Sequence, residues 1–269
     1  DTPLSYGQLR ASVAQVGSDT SPYQLQTTFI QAAPGDGQRG EVTFPFRGVN
    51  GFEQEGIRAN AAPKPEISTE YEFGADLRFL NGRANLDVTY YNKSTTDQIF
   101  DVPVSSATGF TEQSRNAGEI VNRGWELQLG GTPLKVGDFS WDLSANWSKN
   151  TNDVKELASG VENIFLFGFT SIQVRAETGE DGYGIIFGSR YRRNGEISEE
   201  NPVTIAGEQR TAPLPGFDDD ALLIAADGTP IPAASPGNIG NVQPDWEGGI
   251  FSTFSWRGLS LSQQWEISR

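Results

Sequence analysis

Glu70 and Glu72 are the closest this sequence comes to a pair of catalytic carboxylates. Glycoside hydrolysis needs two carboxyl groups across a cleft, one to protonate the leaving oxygen and one to activate water or attack carbon. At i and i+2 of an extended strand these two share a face, but so do many other carboxylates here, and the spacing implies no cleft. The run Asp218-Asp219-Asp220 offers oxygen ligands for Ca²⁺. It lacks the alternating D-x-D-x-D-G order of a calcium loop, and the expectation is a solvated acidic loop. The glycine-rich stretches Gly179 to Gly188 and Gly237 to Gly240 match no phosphate-binding pattern and read as turns. The sequence holds no Cys, no His and no Met. Without them there is no thiolate nucleophile, no disulfide framework, no imidazole shuttle and no zinc site of the usual kind. No catalytic residue, cofactor or metal site is expected, and the chain is not read as an enzyme.

What remains is architecture. The 269 residues carry 20 Lys+Arg against 35 Asp+Glu, a formal charge of −15 that argues against a nucleic-acid partner. Hydrophobic residues make up only 36%, with 31 Gly and 15 Pro, yet aromatics reach 11%. No stretch approaches the ~20 apolar residues of a membrane-spanning helix. The first residues, Asp1-Thr2-Pro3-Leu4-Ser5-Tyr6, lack the basic start and apolar run of a signal peptide. With no Met anywhere, the chain reads as an excised piece of something longer. Two classes stay open at this point: a loop-rich soluble β protein, and an outer-membrane barrel whose strands are apolar on one side only.

The stretch from Glu66 to Lys93 carries the most information. Ile67, Thr69, Tyr71, Phe73, Ala75, Leu77 and Phe79 alternate with Glu66, Ser68, Glu70, Glu72, Gly74, Asp76 and Arg78. A period of two specifies a strand with one apolar and one wet face. Asn81-Gly82 supplies the φ > 0 pair of a type I′ hairpin, and Ala84, Leu86, Val88 and Tyr90 return in register against Arg83, Asn85, Asp87, Thr89 and Tyr91. The predicted pairs are Phe79 with Ala84, Leu77 with Leu86 and Phe73 with Tyr90. A second hairpin runs Trp125, Leu127, Leu129, a turn at Gly130-Gly131-Thr132-Pro133, then Phe139, Trp141, Leu143, Ala145 and Trp147. A third joins Phe254 and Trp256 through Arg257-Gly258 to Leu259, Leu261, Trp265 and Ile267. The first strand, roughly Leu4 to Val16, is weaker and mixed.

Short turns near 81–82, 131 and 258 fall at one end, and long connections at 18–64, 101–118 and 153–244 at the other. That polarity marks outer-membrane barrels, with short periplasmic turns and long extracellular loops, whereas a sandwich places loops at both ends. The 153–244 stretch is predicted as irregular surface. It holds 14 acidic and 6 basic residues, which is −8 of the total −15.

Five pieces in series then resemble one family. Ser5-Tyr6-Gly7-Gln8-Leu9-Arg10-Ala11-Ser12, with Gly17, is similar to the L-R-A-S barrel segment of SusC/RagA-like TonB-dependent transporters of Bacteroidetes. Pro65-Glu66 with Glu72-Phe73-Gly74 and Asp87-Val88-Thr89-Tyr90-Tyr91 resembles that family's next hairpin. Asn116-Ala117-Gly118-Glu119-Ile120, with Asn122-Arg123-Gly124-Trp125-Glu126, is the most specific stretch. Phe139-Ser140-Trp141 with Asn146-Trp147-Ser148 follows, and Ile239-Gly240-Asn241-Val242-Gln243-Pro244-Asp245-Trp246 completes the order. The resemblance implies an all-β fold, an antiparallel transmembrane β-barrel segment taken from a wall of about 22 strands around a plugged lumen. Residues 1–269 would be a partial barrel of roughly seven strands without the plug domain, multi-pass in the cell outer membrane. It also implies import of oligosaccharides or oligopeptides into the periplasm, a SusD-like surface lipoprotein over the mouth, and TonB engaged through a missing N-terminal region.

In that setting Tyr71, Tyr90, Trp125, Trp141, Trp147, Trp246, Trp256 and Trp265 are expected as interfacial aromatics facing outer-membrane lipid. The plainer reading makes them a soluble sandwich core. Glu66, Glu70, Glu72, Asp76, Arg78, Asp87, Glu126 and Asp142 are expected to face the lumen, where a hydrated wall with charges paired across strands is favoured over a cargo site. The competing functions are a soluble β-rich carbohydrate-binding or adhesin module and a passive porin. Open sheet edges further predict that this polypeptide alone is not a stable soluble monomer.

Overall fold

The computed structural model describes residues 3–20, 24–34, 42–169 and 172–269, so parts of the 18–64 stretch (21–23 and 35–41) lie outside the described residues. Seven long strands build one antiparallel sheet: β1 (Leu4–Ser18), β2 (Glu66–Phe79), β3 (Ala84–Pro103), β4 (Glu112–Val136), β5 (Phe139–Leu157), β6 (Glu247–Trp256) and β7 (Leu259–Ser268). Neighbours along the chain are neighbours in the sheet from β1 to β7. Two short strands add to it, Ile57–Arg58 parallel to β4 and Gly179–Glu180 antiparallel to β5. The outer edges of β1 and β7 pair with no strand among the described residues, so the sheet is open.

The first hairpin has the register its alternation demands: Phe79 lies opposite Ala84, Leu77 opposite Leu86 and Phe73 opposite Tyr90. Asn81 and Gly82 sit at φ 58° and 84°, and the Arg83 N–H donates to the Leu80 carbonyl at 3.3 Å. Leu80 before them is left-handed too, at φ 54°, so four residues, 80–83, separate the last ladder pair of this hairpin. Arg257 and Gly258, at φ 46° and 84°, form a two-residue loop between β6 and β7 with the positive-φ pair of a type I′ turn. Two neighbouring turns are tied together by Arg257 Nε at 3.0 Å from Asp138 Oδ2.

The turn expected at Gly130-Gly131-Thr132-Pro133 is instead a β-bulge. β4 continues to Val136 and reverses at Gly137 (φ 55°). Gly131 pairs with Leu143 and Leu134 with Trp141, so β4 holds one residue more than β5 over this step. Pro133 sits inside the bulge, where its missing N–H breaks no ladder bond. Gly131 is required there, because a Cβ would lie 2.5 Å from the Arg83 carbonyl oxygen.

The strands also run further than alternation alone shows. β3 ends at Pro103 and β4 starts at Glu112, so the ladder takes up most of the 101–118 stretch read as a connection. Backbone pairing does not stop where apolar alternation stops. Polar pairs such as Asp101 with Ser114 carry the ladder past the amphipathic portion.

The second correction concerns 153–244. Residues 165–176 and 184–242 form a compact unit of their own, not irregular surface. It holds a four-stranded sheet in the order Gly237–Asn241, Tyr183–Gly188, Ile172–Glu177, Asn163–Phe169, and a hairpin, Val203–Ile205 with Glu208–Arg210. Ile197, Val203 and Leu223 are its buried apolar centre, with Ile205, Leu214 and Ile231 packed around them. Strands this short carry too few alternations to be seen as a period. The buried Asn194 binds the chain in their place, accepting from Leu214 N at 2.7 Å and donating to the Leu214 and Phe217 carbonyls at 3.2 and 3.3 Å.

Candidate functional site

Cross-strand partners in an antiparallel sheet share a face, so the register assigns every side chain of the wall to one side. All eight expected interfacial aromatics fall on the apolar side. Tyr90 and Trp125 are paired residues with ring centroids 5.0 Å apart. Tyr71 lies one row beyond them and Trp147 one row nearer the turns, opposite Leu127. Trp246 precedes β6, and its ring lies near Gly248, the partner of Trp147. A second group sits towards the tight turns. Trp141 stacks on Phe254 at 5.7 Å, Phe139 lies 6.5 Å from Phe254, and Trp256 pairs with Phe139. Trp265 joins neither level, since it faces Ile250 in the row of Ala145 and Leu129. Side chains of this face stand open among the described residues: Leu9 is 84% exposed, Phe73 57%, Leu129 50% and Trp265 63%.

The eight expected lumen residues share the opposite face. Their fates differ. Asp76 stands directly opposite Asp87, a like-charge pair that would destabilise the ladder if left alone. Each finds its own cation. Asp76 pairs with Arg78 at 3.3 Å, and Asp87 accepts two bonds from Arg10, at 2.7 and 2.5 Å. Arg10 also donates to Thr89 Oγ1 at 2.7 Å and stands 3.9 Å from Glu72. Glu66 is taken up structurally, accepting the Ile99 N–H at 2.7 Å beside a register shift in β3. Asp142 accepts from Thr132 Oγ1, the hydroxyl carried by the β4 bulge, at 2.6 Å. Glu70 lies opposite Lys93, and Glu126 between Thr89 and Ser148. The Glu70/Glu72 pair stands on a sheet face with Glu72 beside Arg10, an arrangement without the two-sided cleft that hydrolysis needs.

Alternation alone does not reveal Arg10. Its guanidinium crosses β2 to reach β3, and it can do so because the residue beneath it is Gly74, where a Cβ would stand 2.5 Å from Arg10 Nε. Tyr91 uses the same device over Gly124 to donate to Asn150 Oδ1 at 2.9 Å. Asn85 lies over Gly130, and Asn146 over Gly249. The available signal is a glycine on the wet face of an otherwise regular strand, flanked in the neighbouring strand by a long polar side chain. Asn116, in the most family-like stretch, is structural: it donates to the carbonyls of Lys64 and Asp97 at 2.8 and 2.6 Å.

Towards the long connections, well beyond the aromatic levels, Glu112 sits partly buried near Asp101. Burial first, and the Asp101 charge second, push its carboxyl above the usual glutamate range. A carboxylate held this way weakens the fold at neutral pH and ceases to do so once protonated. E112Q is expected to melt above wild type at pH 7. The difference should close as pH falls through the raised value towards the ordinary one, and a pH series of thermal melts checks it. In the second unit, the Asp218-Asp219-Asp220 run contributes backbone: its carbonyls accept from Ala221 N, Gly195 N and the Arg193 guanidinium.

The chain is 33% identical to TonB-dependent receptor P39 of Formosa agariphila, over 65% of this chain and 16% of that protein. It is 26% identical to TonB-dependent receptor P3 of the same organism, over 96% of this chain and 25% of that one. Against TonB-dependent receptor SusC of Bacteroides thetaiotaomicron the identity is 35%, over 38% and 10%. It therefore spans a quarter or less of the length of these curated relatives. The RagAB peptide transporter superposes with a TM-score of 0.66 at 22% identity, covering 98% of this chain and 26% of that one. The closed-closed RagAB peptide importer gives 0.67 at 23%, covering 100% and 27%. These two structures share its fold. With residues 3–261 matching it, the chain belongs to the TonB dependent receptor-like, beta-barrel family.

Proposed function

We propose that this chain supplies about seven strands to the wall of an outer-membrane importer that moves oligosaccharides or oligopeptides into the periplasm. Membership of the family places it in the outer membrane and among transporters, not enzymes. The observation that carries the reading is the apolar face of the sheet, which presents large exposed side chains on β1, β2, β4, β6 and β7. An apolar surface of that extent needs a partner, and lipid is the one that matches a continuous band edged by aromatic rings. Along β5, Phe139 and Trp147 are roughly 26 Å apart at about 3.3 Å per residue, close to the ~25 Å height of such a band. The polar face, with its charges largely paired, then lines the lumen, and the connections at 18–64, 101–118 and 153–244 face outward from the cell. A SusD-like surface lipoprotein over those connections, and TonB engaged through a segment N-terminal to this one, complete the proposed machine.

Because the chain has no Cys, single cysteines can be placed in it at will. In the full-length receptor in liposomes, a spin label at Leu129 or Ala145 is expected to collide with oxygen and escape a water-soluble nickel complex. A label at Gln128 or Asn146 should show the reverse. Equal access of the nickel complex to both faces would overturn the membrane reading and favour a soluble module.

A further inference from the structure

The apolar side of the wall ends on cations. From the row of Leu127 and Trp147 to the tight turns, none of the seven strands turns a charged residue to that side. Lys149 is the first charge beyond it, opposite Trp125 in the row of Phe73 and Tyr90. Its neighbour Asn150 accepts the Tyr91 hydroxyl on the wet face, which fixes the side that Lys149 takes. Further along the row, Trp246 and Arg269 exchange backbone bonds in both directions and so stand opposite each other. Two residues from the Gly248 pair with Ile267, Arg269 is on the apolar side as well. One row outward, Arg123 lies opposite Asn92 beside Tyr71. Among the described residues, these two rows hold three exposed cations and no carboxylate, in a chain whose Asp and Glu outnumber Lys and Arg by 35 to 20.

The three differ in what they already hold. Arg123 reaches Glu180 at 2.9 Å, in a pair largely open to solvent. Lys149 and Arg269 make no side-chain hydrogen bond or ion pair among the described residues. Strands of this chain flank Lys149 on both sides, bringing Trp125 and Trp246 next to it rather than a carboxylate. The indole N–H groups of these two rings are donors only, and they too are unpartnered among the described residues. That of Trp141, inside the apolar band, bonds Ser252 Oγ at 2.9 Å.

We propose that Lys149, between Trp125 and Trp246 and flanked by Arg123 and Arg269, binds the phosphate of an anionic lipid headgroup in the leaflet on the side of the long connections. A lysine at the edge of an apolar band lays its four-carbon stem along the band and carries its ammonium outward, to the depth of the headgroups. Strands lie about 4.8 Å apart, so Lys149 and Arg269 are roughly 10 Å from each other, within reach of one large headgroup. A free phosphate ion would leave the apolar surface beneath it bare. A lipid meets both chemistries, with its acyl chains along Leu127 and Trp147. A zwitterionic headgroup brings its own cation and gains less from three more. The inference rests on the reading that the apolar face meets the bilayer, and it goes further by naming the lipid that this face selects.

The test uses the full-length receptor in detergent, titrated with diphosphoryl lipid A, phosphatidylglycerol and phosphatidylcholine. Native mass spectrometry reads the fraction of receptor that retains lipid. The two anionic lipids should be retained over phosphatidylcholine, and less so as salt rises. K149E should weaken retention about tenfold, and K149R should keep it. K135E, the same change of charge on the wet face, should match wild type. K149Q combined with R269Q, read in the same way, covers the case in which K149E does not fold. Inorganic phosphate at the lipid's concentration should displace nothing. Equal retention of phosphatidylcholine, wild-type retention in folded K149E or K149Q/R269Q, equal loss in K135E, or displacement by inorganic phosphate would each overturn the inference. Any of these results with Leu129 and Ala145 still shielded from the nickel complex leaves the importer wall standing. Nickel access to those two positions defeats the wall itself.

Discussion

Leu129→Arg is expected to prevent assembly of the receptor, while Gln128→Arg, one residue away, leaves folding intact. Leu129 is half-exposed on the apolar face, between the level of Trp125 and the level of Trp141, with Leu86 and Ala145 as its ladder partners. In a water-soluble sheet, replacing a half-exposed Leu by Arg changes stability by no more than about 0.5 kcal/mol. At a bilayer midplane the same change costs about 2–4 kcal/mol, because the guanidinium must be drawn into hydrocarbon or the bilayer thinned around it. That is a roughly 30- to 1,000-fold loss in the ratio of folded to unfolded chains. Gln128 points the other way, onto the polar face between Asp87 and Asn146, where an added cation meets unlike charge. The heat-modifiable shift of folded barrels on semi-native gels, followed by urea titration in liposomes, reads both variants. Equal tolerance of the two substitutions would remove lipid from the account.

The contrast between two adjacent residues shows why so much of the wall is legible in the sequence. A face that is apolar for structural reasons and a face that is polar for structural reasons write a period of two into the chain, and that period fixes register without any knowledge of the third dimension. Phe73 with Tyr90 and Leu77 with Leu86 follow from it directly. What the period cannot convey is contact across more than one strand. Arg10 reaches Asp87 over Gly74, and Tyr91 reaches Asn150 over Gly124; each link joins residues whose relation depends on the pairing of three strands at once. The glycine run at 130–131 was ambiguous for a related reason. Glycine permits both a turn and a close approach of backbones, and only the position of the Arg83 carbonyl in the neighbouring strand selects the bulge. The unit of 165–176 and 184–242 is not legible in the same way, because its elements are short and its core is assembled from residues far apart in sequence, Ile197, Val203 and Leu223.

Gly124→Ala and Gly74→Ala are expected to separate the two kinds of glycine on the wet face. Neither has a positive φ, so alanine is acceptable to both backbones and the outcome depends on what the new methyl meets. At Gly74 it meets the far end of Arg10, with Nε at 2.5 Å and Nη2 at 2.9 Å, a side chain able to swing away. The loss is then the Arg10 clasp on Asp87 and Thr89, and both partners are about a third exposed, so solvent already screens much of that pair. In an Arg10→Ala background the three atoms nearest that methyl are gone, and alanine should be neutral or slightly stabilising, since it restricts the unfolded chain more than glycine does. At Gly124 the methyl meets the Lys149 carbonyl oxygen at 2.5 Å as well as the Tyr91 hydroxyl at 2.5 Å. A backbone oxygen in the next strand cannot move without prising β4 from β5, so the expected loss is about 1–3 kcal/mol. Removing Tyr91 should recover little of it. A double-mutant cycle at each site, read by urea unfolding in liposomes, should show strong coupling for Gly74 with Arg10 and weak coupling for Gly124 with Tyr91. Strong rescue of Gly124→Ala by Tyr91→Ala would mean that the strap, and not the spacing of the strands, is what this glycine protects.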